Sequence, residues 1–366
     1  MKPLSIVILG LSIRSSWGNG HATTYRGLAR ALAARGHRVL FLERNVPWYA
    51  QAVDMPRPAG ARLKLYGSLQ ELKARYTHAV RTADLTIVGS YTPQGAQIGD
   101  WVLRTTRGVS AFYDIDTPVT VEGLVSRTID YLSRGLMRRY DLYLSFTGGP
   151  LLARLAEMGA TMPRPLHCSA DLACYFPERH LPKWDLGYMG TYSQDRAAAM
   201  EELLLHPARL LPGCRMVVAG PQYPDAVQWP INIEHYDHLA PGEHRAFFCG
   251  QRFTLNLTRE PMKRVGYSPS IRLFEAAASG CAMISDWWPG LDDFFEPGRE
   301  ILVVRNQDDV LRFLTEITDD ERTTIAAAAR KRVLAEHTSE QRARQLEGYL
   351  EELGCCREIE PPAASR

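Results

Sequence analysis

The chain has 366 residues, of which 45% are hydrophobic and 23% charged, and its formal net charge at pH 7 is +2. This length exceeds what a single compact core usually holds, so we expect two domains. A net charge so close to zero provides no overall field that would attract nucleic acid, and we expect no nucleic-acid partner. The seven cysteines include no C-x-x-C pair, which argues against a zinc or redox site and favours reduced thiols in the cytoplasm.

The apolar segments are short. The first, over residues 4–11, leads into a polar loop, which favours a buried first strand over a signal peptide. No apolar stretch approaches the roughly 20 residues that span a bilayer, so no transmembrane segment is predicted.

The first half of the chain alternates short β-branched runs with helical patterns, which is typical of a parallel sheet with helices on both faces. A helix is predicted over residues 22–35, where Leu28, Ala31 and Leu32 share one face and Gly36 ends the helix. The strands predicted in this half cover residues 4–9, 38–42, 85–88, 109–113 and 142–146.

The same pattern restarts after a proline-rich stretch over residues 161–184, which is typical of a linker. Strands are predicted over 186–190, 216–220, 253–257, 281–285 and 301–304, and helices over 271–279, 319–337 and 339–353. We therefore predict an α/β protein with two Rossmann-like domains, over residues 1–165 and 185–338. A linker over 166–184 joins them, a helix over 339–353 could pack back on the first domain, and a tail over 354–366 is predicted to be disordered. Such domains enclose a cleft at the carboxyl ends of their strands, where α/β folds bind ligands.

The segment 268–275, Ser-Pro-Ser-Ile-Arg-Leu-Phe-Glu, has the most informative chemistry. Ser268 suits a helix N-cap, and Pro269 suits the first helical turn because its missing N–H costs nothing there. The free amides around Ser270 and Ile271 would then point outward and could bind a diphosphate.

Charged residues around this helix support an anion site. Arg272 lies one turn into the helix, and Arg259 and Lys263 lie upstream, after the strand predicted to end at Leu257. Glu275 lies in an otherwise apolar helix, where a carboxylate without a partner is costly. Its partner is either a pair of ribose hydroxyls or a nearby arginine, and the residues alone do not decide between them.

The string over residues 268–286 and the run over 290–298 resemble the CgeB-like spore-maturation glycosyltransferases, which belong to the group 1 glycosyltransferases of GT-B fold. Similarity continues through residues 187–193, 256–259 and 170–177. The resemblance implies a GT-B fold and metal-independent transfer of a sugar from a nucleotide-diphosphate sugar to an acceptor hydroxyl or amine. The nucleotide-sugar would be a co-substrate, with no other cofactor.

In such enzymes the glutamate that matches Glu275 binds the donor ribose, and the preceding helix N-terminus holds the diphosphate. Many retaining members carry a second glutamate eight positions earlier, where this chain has Tyr267. This departure leaves open whether the transfer is retaining or inverting.

A glycine-containing loop follows the first strand of the second sheet. Gly190 allows close approach of a ligand to the backbone, and Thr191 and Ser193 could bond phosphate. Arg196 could add charge or could be a solvated helix residue. The predicted donor site therefore comprises Gly190, Thr191, Tyr192, Ser193, Asn256, Arg259, Lys263, Ser268, Ser270, Arg272 and Glu275.

The acceptor side is predicted in the first domain. The loop over residues 17–21, Trp-Gly-Asn-Gly-His, follows the first strand, and its His21 could act as a base or contact the acceptor. A helix-capping or surface histidine is the alternative. The loop lacks the G-x-G-x-x-G fingerprint, so no nicotinamide cofactor is indicated.

Asp114 and Asp116 follow another strand of the first sheet and are expected to reach the cleft together, where proximity would raise one pKa. Asp116 is our first choice for the general base, with His21 and Asp114 as further candidates, while loop capping by Asp114 or Thr117 is the alternative. The D-x-D spelling also occurs in metal-dependent glycosyltransferases of another fold, but we predict no metal here. Asn19, His21 and Thr117 are the predicted acceptor contacts.

The function predicted is glycosyl transfer of the hexosyltransferase type. The donor base and sugar, the acceptor (a glycan, small molecule, lipid or protein) and the oligomeric state are left open. A nucleotide-sugar 2-epimerase of the same architecture and a non-catalytic nucleotide-sugar-binding protein are the alternatives.

Overall fold

The computed structural model describes residues 2–178 and 181–354, so the predicted tail lies, apart from Gly354, outside the described residues. Its first sheet has seven parallel strands in the order β3-β2-β1-β4-β5-β6-β7. They are β1 Ser5–Gly10, β2 Arg38–Arg44, β3 Ala61–Tyr66, β4 Leu85–Gly89, β5 Val109–Asp114, β6 Leu142–Ser145 and β7 Pro163–Pro165. The helices between them are α1 His21–Ala34, α2 Pro47–Ala50, α3 Leu69–Thr82, α4 Gly95–Thr105, α5 Thr117–Ser126, α6 Arg134–Met137 and α7 Pro150–Glu157.

The second sheet has six parallel strands in the order β10-β9-β8-β11-β12-β13. They are β8 Trp184–Met189, β9 Met216–Ala219, β10 Ile233–Tyr236, β11 Gln251–Asn256, β12 Ala282–Asp286 and β13 Leu302–Val304. The helices are α8 Ala197–Met200, which continues through a π-helical turn into α9 His206–Leu210, then α10 Pro241–Cys249, α11 Glu260–Val265, α12 Ile271–Ala278, α13 Gln307–Glu316, α14 Asp319–Glu336 and α15 Ser339–Glu352.

The central strands are buried on both faces, which explains their continuous apolar sequences. Every residue of β4 is buried, and its neighbour β1 is buried from Ile6 onward. In the register of the sheet, Ile6 lies between Val39 of β2 and Leu85 of β4. Apolar clusters cover both faces of each sheet, so each half of the molecule has its own core.

The strand predictions are confirmed to within two residues at each end, but three edge strands were not predicted. β3 alternates apolar and basic residues, β7 reads Pro-Arg-Pro, and β10 reads Ile-Glu-His-Tyr. Edge strands face solvent on one side and pair on one flank only, so their sequences carry little of the apolar signal that identifies a central strand.

The last helix packs on the first sheet. Ala343, Leu346 and Leu350 of α15 join the apolar cluster that contains α1 and one face of β1. The chain crosses from the first half to the second near Ala170 and back to the first near Thr338. These two residues pair, so the two connecting segments lie side by side. No helix of the described part is both long and apolar enough to cross a membrane.

Candidate functional site

A cavity of about 500 Å³ lies between the two halves, at the carboxyl ends of β1, β8 and β9. The first half contributes Ser16, Gly18, Asn19 and Gly20 of the loop after β1 and Thr23 of the first turn of α1. The second half contributes the loops after β8 and β9 and the first turns of α12. This is the edge at which open parallel sheets bind ligands.

A second cavity of about 210 Å³ adjoins the first. Gly20, Arg196, Arg259 and Ile271 line both cavities. The smaller cavity extends toward Asp116, and the apolar part of its wall is formed by Ile115, Phe146, Cys168, Leu257, Met262 and Pro269. The two cavities together form one bent cleft.

Two glycines let the ends of β8 and β9 approach each other. Gly220 has a φ of +153°, and a Cβ there would lie 2.0 Å from the carbonyl oxygen of Gly190. Tyr223 donates a hydrogen bond from its hydroxyl to that same oxygen at 3.0 Å. Gly190 in turn has no room for a side chain, since a Cβ would lie 2.8 Å from Nη2 of Arg272. Backbone rather than side chains therefore forms this part of the cavity wall.

Arg272 is a buried guanidinium that faces the larger cavity. Its Nη1 donates to Oδ1 of Asn256 at 2.9 Å, and its guanidinium lies 5.0 Å from the ring centre of Tyr188. Within the described ranges no carboxylate oxygen lies within 4.0 Å of it, and its Nε has no hydrogen-bond partner. Burial lowers its pKa, and the neighbouring Arg196 adds to this effect. Such a site favours an anion.

Arg196 is a second cation at the same place. It donates from Nη2 to the carbonyl oxygen of Thr191, and no described residue hydrogen-bonds its buried Nε. It lines both cavities, yet it stands outside the donor set predicted from the sequence. The sequence did indicate that Arg196 lies just after the loop that follows β8, near the predicted donor site. The same position fits a solvated helix residue equally well.

Glu275 is 3% exposed and lines the larger cavity from α12. Its buried Oε1 has no hydrogen-bond partner among the described residues. Burial raises its pKa to about 7, although Tyr175 and Arg272 act in the opposite direction. The described residues place no arginine or lysine nitrogen within 4.0 Å of it, so the alternative of a salt bridge is wrong.

The predicted cap of α12 needs correction. The helix begins at Ile271 and its N-cap is Ser270, so Ser268 and Pro269 lie before the helix. Ser268 instead accepts a hydrogen bond on Oγ from Thr147 at 2.9 Å, which ties the two halves together. The free amides therefore begin at Ile271, and this residue lines both cavities.

The two other basic residues of the predicted donor set have carboxylate partners. Lys263 lies 3.4 Å from Oδ2 of Asp286 and lines neither cavity, so its donor contact stays a prediction. Arg259 lines both cavities and bridges the halves, with Nη1 3.3 Å from Asp116 and Nε 3.5 Å from Asp195.

The remaining predicted donor residues divide into two groups. Thr191, Tyr192 and Ser193 line the larger cavity, although the hydroxyl of Ser193 already bonds to Asp195. Asn256 does not line the cleft: its amide donates to Thr258 and Ser285, and its oxygen holds Arg272. Asn256 therefore acts on the site through Arg272.

Asp116 and His21, two candidates for the catalytic base, both line the smaller cavity. Asp116 accepts on Oδ2 from the hydroxyl of Tyr91 at 2.8 Å and from Arg259. His21 is half-buried, and its Nδ1 has no hydrogen-bond partner. Burial lowers its pKa to about 4, partly offset by Asp116, so the imidazole is neutral near pH 7.

Three other residues predicted for this side serve the fold instead. Asp114 is fully buried, and its oxygens accept from Tyr143 at 2.6 Å and Thr120 at 2.7 Å. Burial raises its pKa to about 7. Because the side chain of Asp114 points into the core, the prediction that it reaches the cleft with Asp116 is wrong.

Thr117 is also fully buried, with its hydroxyl bonded to the carbonyl oxygen of Asp114 and to Ser145, so it is not an acceptor contact. Asn19 lines the larger cavity, but its amide holds the loop through the carbonyl oxygens of Ser12 and Ser15.

Tyr267 replaces the expected second glutamate. Its φ is +51°, and its ring packs between Gly149 and Gly290, where an added Cβ would lie 2.4 Å from the ring. This position joins the two halves and does not line either cavity.

No group of three His, Cys, Asp or Glu side chains that could hold a metal ion occurs among residues 2–178 and 181–354. The D-x-D pair supplies only Asp116 to the cleft.

Residues 196–348 match the family model described as glycosyl transferase-like. Gly190, Thr191 and the whole first half lie outside this match. No curated protein sequence matches the chain.

Solved structures match almost the whole chain. Sucrose-phosphate synthase from Thermosynechococcus elongatus is 14% identical, with a TM-score of 0.67 over 97% of this chain and 100% of that one. Anabaena HepE, solved with UDP-glucose, is 12% identical, with a TM-score of 0.69 over 95% and 100%. An α-glucosyltransferase solved with UDP and a 13-mer DNA is 12% identical, with a TM-score of 0.72 over 96% and 100%. The fold is GT-B. The prediction of this fold is confirmed, and the GT-B cleft is the one formed by the two cavities.

Proposed function

We propose that this chain is a metal-independent glycosyltransferase of the CgeB-like type, which transfers a hexose from a nucleotide-diphosphate sugar to an acceptor hydroxyl or amine. One observation carries the proposal. A single cavity holds two arginines, Arg196 and Arg272, that have no carboxylate partner among the described residues, together with a buried carboxylate oxygen of Glu275 that no described residue hydrogen-bonds. A diphosphate would pair with the guanidinium groups, and ribose hydroxyls would donate to Glu275.

The glycosyl transferase-like match over 196–348 and the titles of similar structures support this proposal. HepE is described in complex with UDP and glucose, and the α-glucosyltransferase in complex with UDP-glucose. We propose that the nucleotide occupies the cavity of about 500 Å³, with the transferred sugar toward the cavity of about 210 Å³. Positive charge from the two arginines would stabilise the leaving diphosphate. In other transferases a metal ion has this role.

Asp116 is the proposed general base. Both hydrogen bonds to its carboxylate use Oδ2, so Oδ1 would take the proton from an acceptor hydroxyl as the new bond forms at the anomeric carbon. The bond from that carbon to the diphosphate breaks in the same step. This role applies to an inverting transfer, and the anomeric configuration of the product, read by NMR, would test it.

Donor binding is tested by a thermal-shift screen with UDP, GDP, dTDP and their sugars, since a ligand that binds only the folded state raises the midpoint. We expect Glu275→Ala to weaken donor binding and raise the donor KM by about tenfold or more, because two charge-assisted hydrogen bonds are lost. Glu351→Ala, at an exposed position of α15, is the matched control. Unchanged donor affinity in Glu275→Ala would overturn the site assignment.

A transfer assay separates the other functions. Sugar transfer to an acceptor panel in the presence of EDTA supports metal-independent transfer, whereas loss of transfer in EDTA contradicts it. An epimer of the donor that forms without acceptor would point to an epimerase. Tight binding with neither reaction would point to a binding protein. Location in the cytoplasm stays a proposal, with the free thiols of Cys168, Cys174, Cys214, Cys249 and Cys281 in the described part as support.

A further inference from the structure

The smaller cavity is lined by two side chains of α1 whose polar atoms the protein leaves unbonded. Oγ1 of Thr24 and Nδ1 of His21 are buried, and neither has a hydrogen-bond partner among the described residues. Both side chains line the cavity, and Thr24 is only 4% exposed. The two residues are three positions apart in the first turn of the helix, so they share one face of α1.

The hydroxyl of Thr24 is unusual for a threonine in a helix. Such a hydroxyl commonly bonds back to the carbonyl oxygen of the preceding turn. The neighbouring Thr23 does so, donating to the carbonyl oxygen of Gly20 at 3.0 Å, whereas no described residue bonds to the hydroxyl of Thr24. The fold therefore leaves the hydrogen and the lone pairs of Thr24 available on the cavity side of α1.

Other polar side chains in this cavity are bonded within the protein. Arg196 lines both cavities and is assigned above to the diphosphate. Buried polar groups in folded proteins nearly always have a partner, so an unmet pair in a cavity indicates that a ligand supplies it. The bonded groups are Thr258 with Asp286, Ser268 with Thr147, Cys168 with the carbonyl oxygen of Pro269, and Asp116 with Tyr91 and Arg259.

This face of α1 lies beside the proposed general base. The ring of His21 contacts the ring of Tyr91, with 5.5 Å between their centres. The hydroxyl of Tyr91 in turn donates to Oδ2 of Asp116 at 2.8 Å. A group that binds to Thr24 therefore belongs to a substrate close to the reaction centre.

The chemistry of the pair favours a hydroxyl group as its ligand. A threonine hydroxyl can both donate and accept, and a neutral imidazole nitrogen does one or the other, depending on its tautomer. Burial lowers the pKa of His21 to about 4, so the pair carries no charge near pH 7. A phosphate or carboxylate is bound best by charged donors. A sugar hydroxyl, which donates and accepts, fits Thr24 and either tautomer of His21.

We propose that Thr24 is a specificity-determining residue whose hydroxyl, beside Nδ1 of His21, hydrogen-bonds one hydroxyl group of the transferred hexose. This inference rests on the proposed function, which places the hexose toward the smaller cavity. It adds a selection among donors. A hexose that lacks this hydroxyl is disfavoured, because it leaves the buried polar atoms of the site unpaired.

The test compares how tightly the full chain binds a nucleoside diphosphate and the matching nucleotide-sugar, by calorimetric titration. The pairs are UDP and UDP-glucose, GDP and GDP-mannose, and dTDP and dTDP-glucose. Thr24→Val removes the hydroxyl and keeps the shape of the side chain. Its affinity for the diphosphate should stay within about twofold of wild type, while its affinity for the nucleotide-sugar should fall by about three- to tenfold, because one neutral hydrogen bond is lost. Thr24→Ser keeps a hydroxyl and should recover most of this loss.

Monodeoxy analogues identify the hydroxyl that Thr24 contacts. The nucleotide-sugar that binds most tightly is compared with analogues that each lack one hydroxyl of the hexose. One analogue should bind wild type about three- to tenfold more weakly than the parent, and Thr24→Val should bind that analogue and the parent equally well. Such non-additivity is expected only where the two removed groups interact with each other.

Thr86→Val is the matched control. Thr86 lies in β4, is fully buried, and its hydroxyl also has no partner among the described residues, but it lines neither cavity. Both valine variants remove an unmet buried hydroxyl, so neither should lower the thermal midpoint of the ligand-free chain. Thr86→Val should bind every nucleotide-sugar as wild type does. Weaker binding by Thr24→Val with an unlowered midpoint then reports a lost contact rather than a damaged fold.

The outcomes distinguish this inference from the proposed function. If a nucleotide-sugar binds and Thr24→Val binds it as tightly as wild type, or every deoxy analogue loses the same factor in both proteins, the role of Thr24 is wrong and the donor site stands. A raised acceptor KM with unchanged donor affinity would assign the hydroxyl to the acceptor and would also overturn the inference. If none of the nucleoside diphosphates or nucleotide-sugars binds, both proposals fail.

Discussion

The carboxyl edges of the two sheets carry similar polar residues but use them in opposite ways. At the edge of the first sheet, the side chains of Asp114, Thr117 and Asn19 bond to the protein itself. At the edge of the second, Nε of Arg196, Nε of Arg272 and Oε1 of Glu275 are buried and have no hydrogen-bond partner among the described residues.

An unmet buried polar atom costs about 1–3 kcal/mol, so a fold retains several together only where something else compensates for them. The second edge therefore resembles a prepared binding surface, with two guanidinium groups in place before the ligand arrives. The first edge is a self-sufficient scaffold that presents few reactive groups, chiefly Asp116 and Nδ1 of His21. Variants can test this division, and the largest effects are expected where a side chain faces the cleft.

Asp116→Asn should lower kcat by about 10²- to 10⁴-fold, the usual contribution of a general base. Donor affinity should change little, because the asparagine keeps an oxygen that can accept from Tyr91 and Arg259. Single-turnover transfer and calorimetric donor titration measure the two quantities. Wild-type turnover in this variant would mean that the base is another group or that the transfer is retaining.

Arg272→Ala should raise the donor KM by about 10- to 100-fold, since hydrogen bonds to charged groups are worth about 1.5–3 kcal/mol. Arg272→Lys should recover only part of this loss, because an ammonium cannot bond simultaneously to Asn256 and to a diphosphate in the same geometry. Arg264→Ala is the control, since Arg264 is an exposed arginine that pairs with the exposed Glu122. Equal losses in the Arg264 and Arg272 variants would indicate a general effect of charge rather than a site.

The sequence predicted the second edge better than the first, for a physical reason. Residues 268–275 combine a helix N-terminus, a cation and a carboxylate within eight positions, so the relation among Ser270, Arg272 and Glu275 is set by one helix. A local pattern of this kind survives folding with little change. Even so, the N-cap is Ser270 rather than the predicted Ser268, because Ser268 bonds to Thr147 of the first half.

Contacts between distant segments were beyond prediction. Whether Asp114 or Asp116 faces the cleft depends on Tyr143, 29 positions away from Asp114, which draws Asp114 inward. The roles of Lys263 and Arg259 likewise depend on Asp286 and Asp116, which folding brings to them. A position in a strand-end loop places a residue near the cleft. The direction of the residue's side chain depends on partners that are distant in the sequence.

Asp114→Asn should change how stability depends on pH. The pKa of Asp114 is raised to about 7 in the folded protein, so the folded state binds this proton more tightly than the unfolded state. That group therefore lowers the stability as pH rises from about 4 to about 7 and has no further effect above. The asparagine removes this component, so the urea midpoint should fall less between pH 5 and pH 8 in the variant than in wild type. Parallel curves would contradict the assignment of Asp114 as a neutral core group.

Thr117→Val should have the smallest effect on activity. It tests whether polar side chains at the edge of the first sheet only support the fold. The hydroxyl of Thr117 bonds only within the fold, to the carbonyl oxygen of Asp114 and to Ser145, and valine has nearly the same shape. Each lost hydrogen bond costs about 0.5–1.5 kcal/mol, so the free energy of unfolding should fall by about 1–3 kcal/mol while acceptor KM and kcat stay within about twofold. Urea unfolding and acceptor kinetics measure these quantities. A large rise in acceptor KM with unchanged stability would return Thr117 to the acceptor site, because a side chain that only supports the scaffold cannot change substrate affinity without changing the fold.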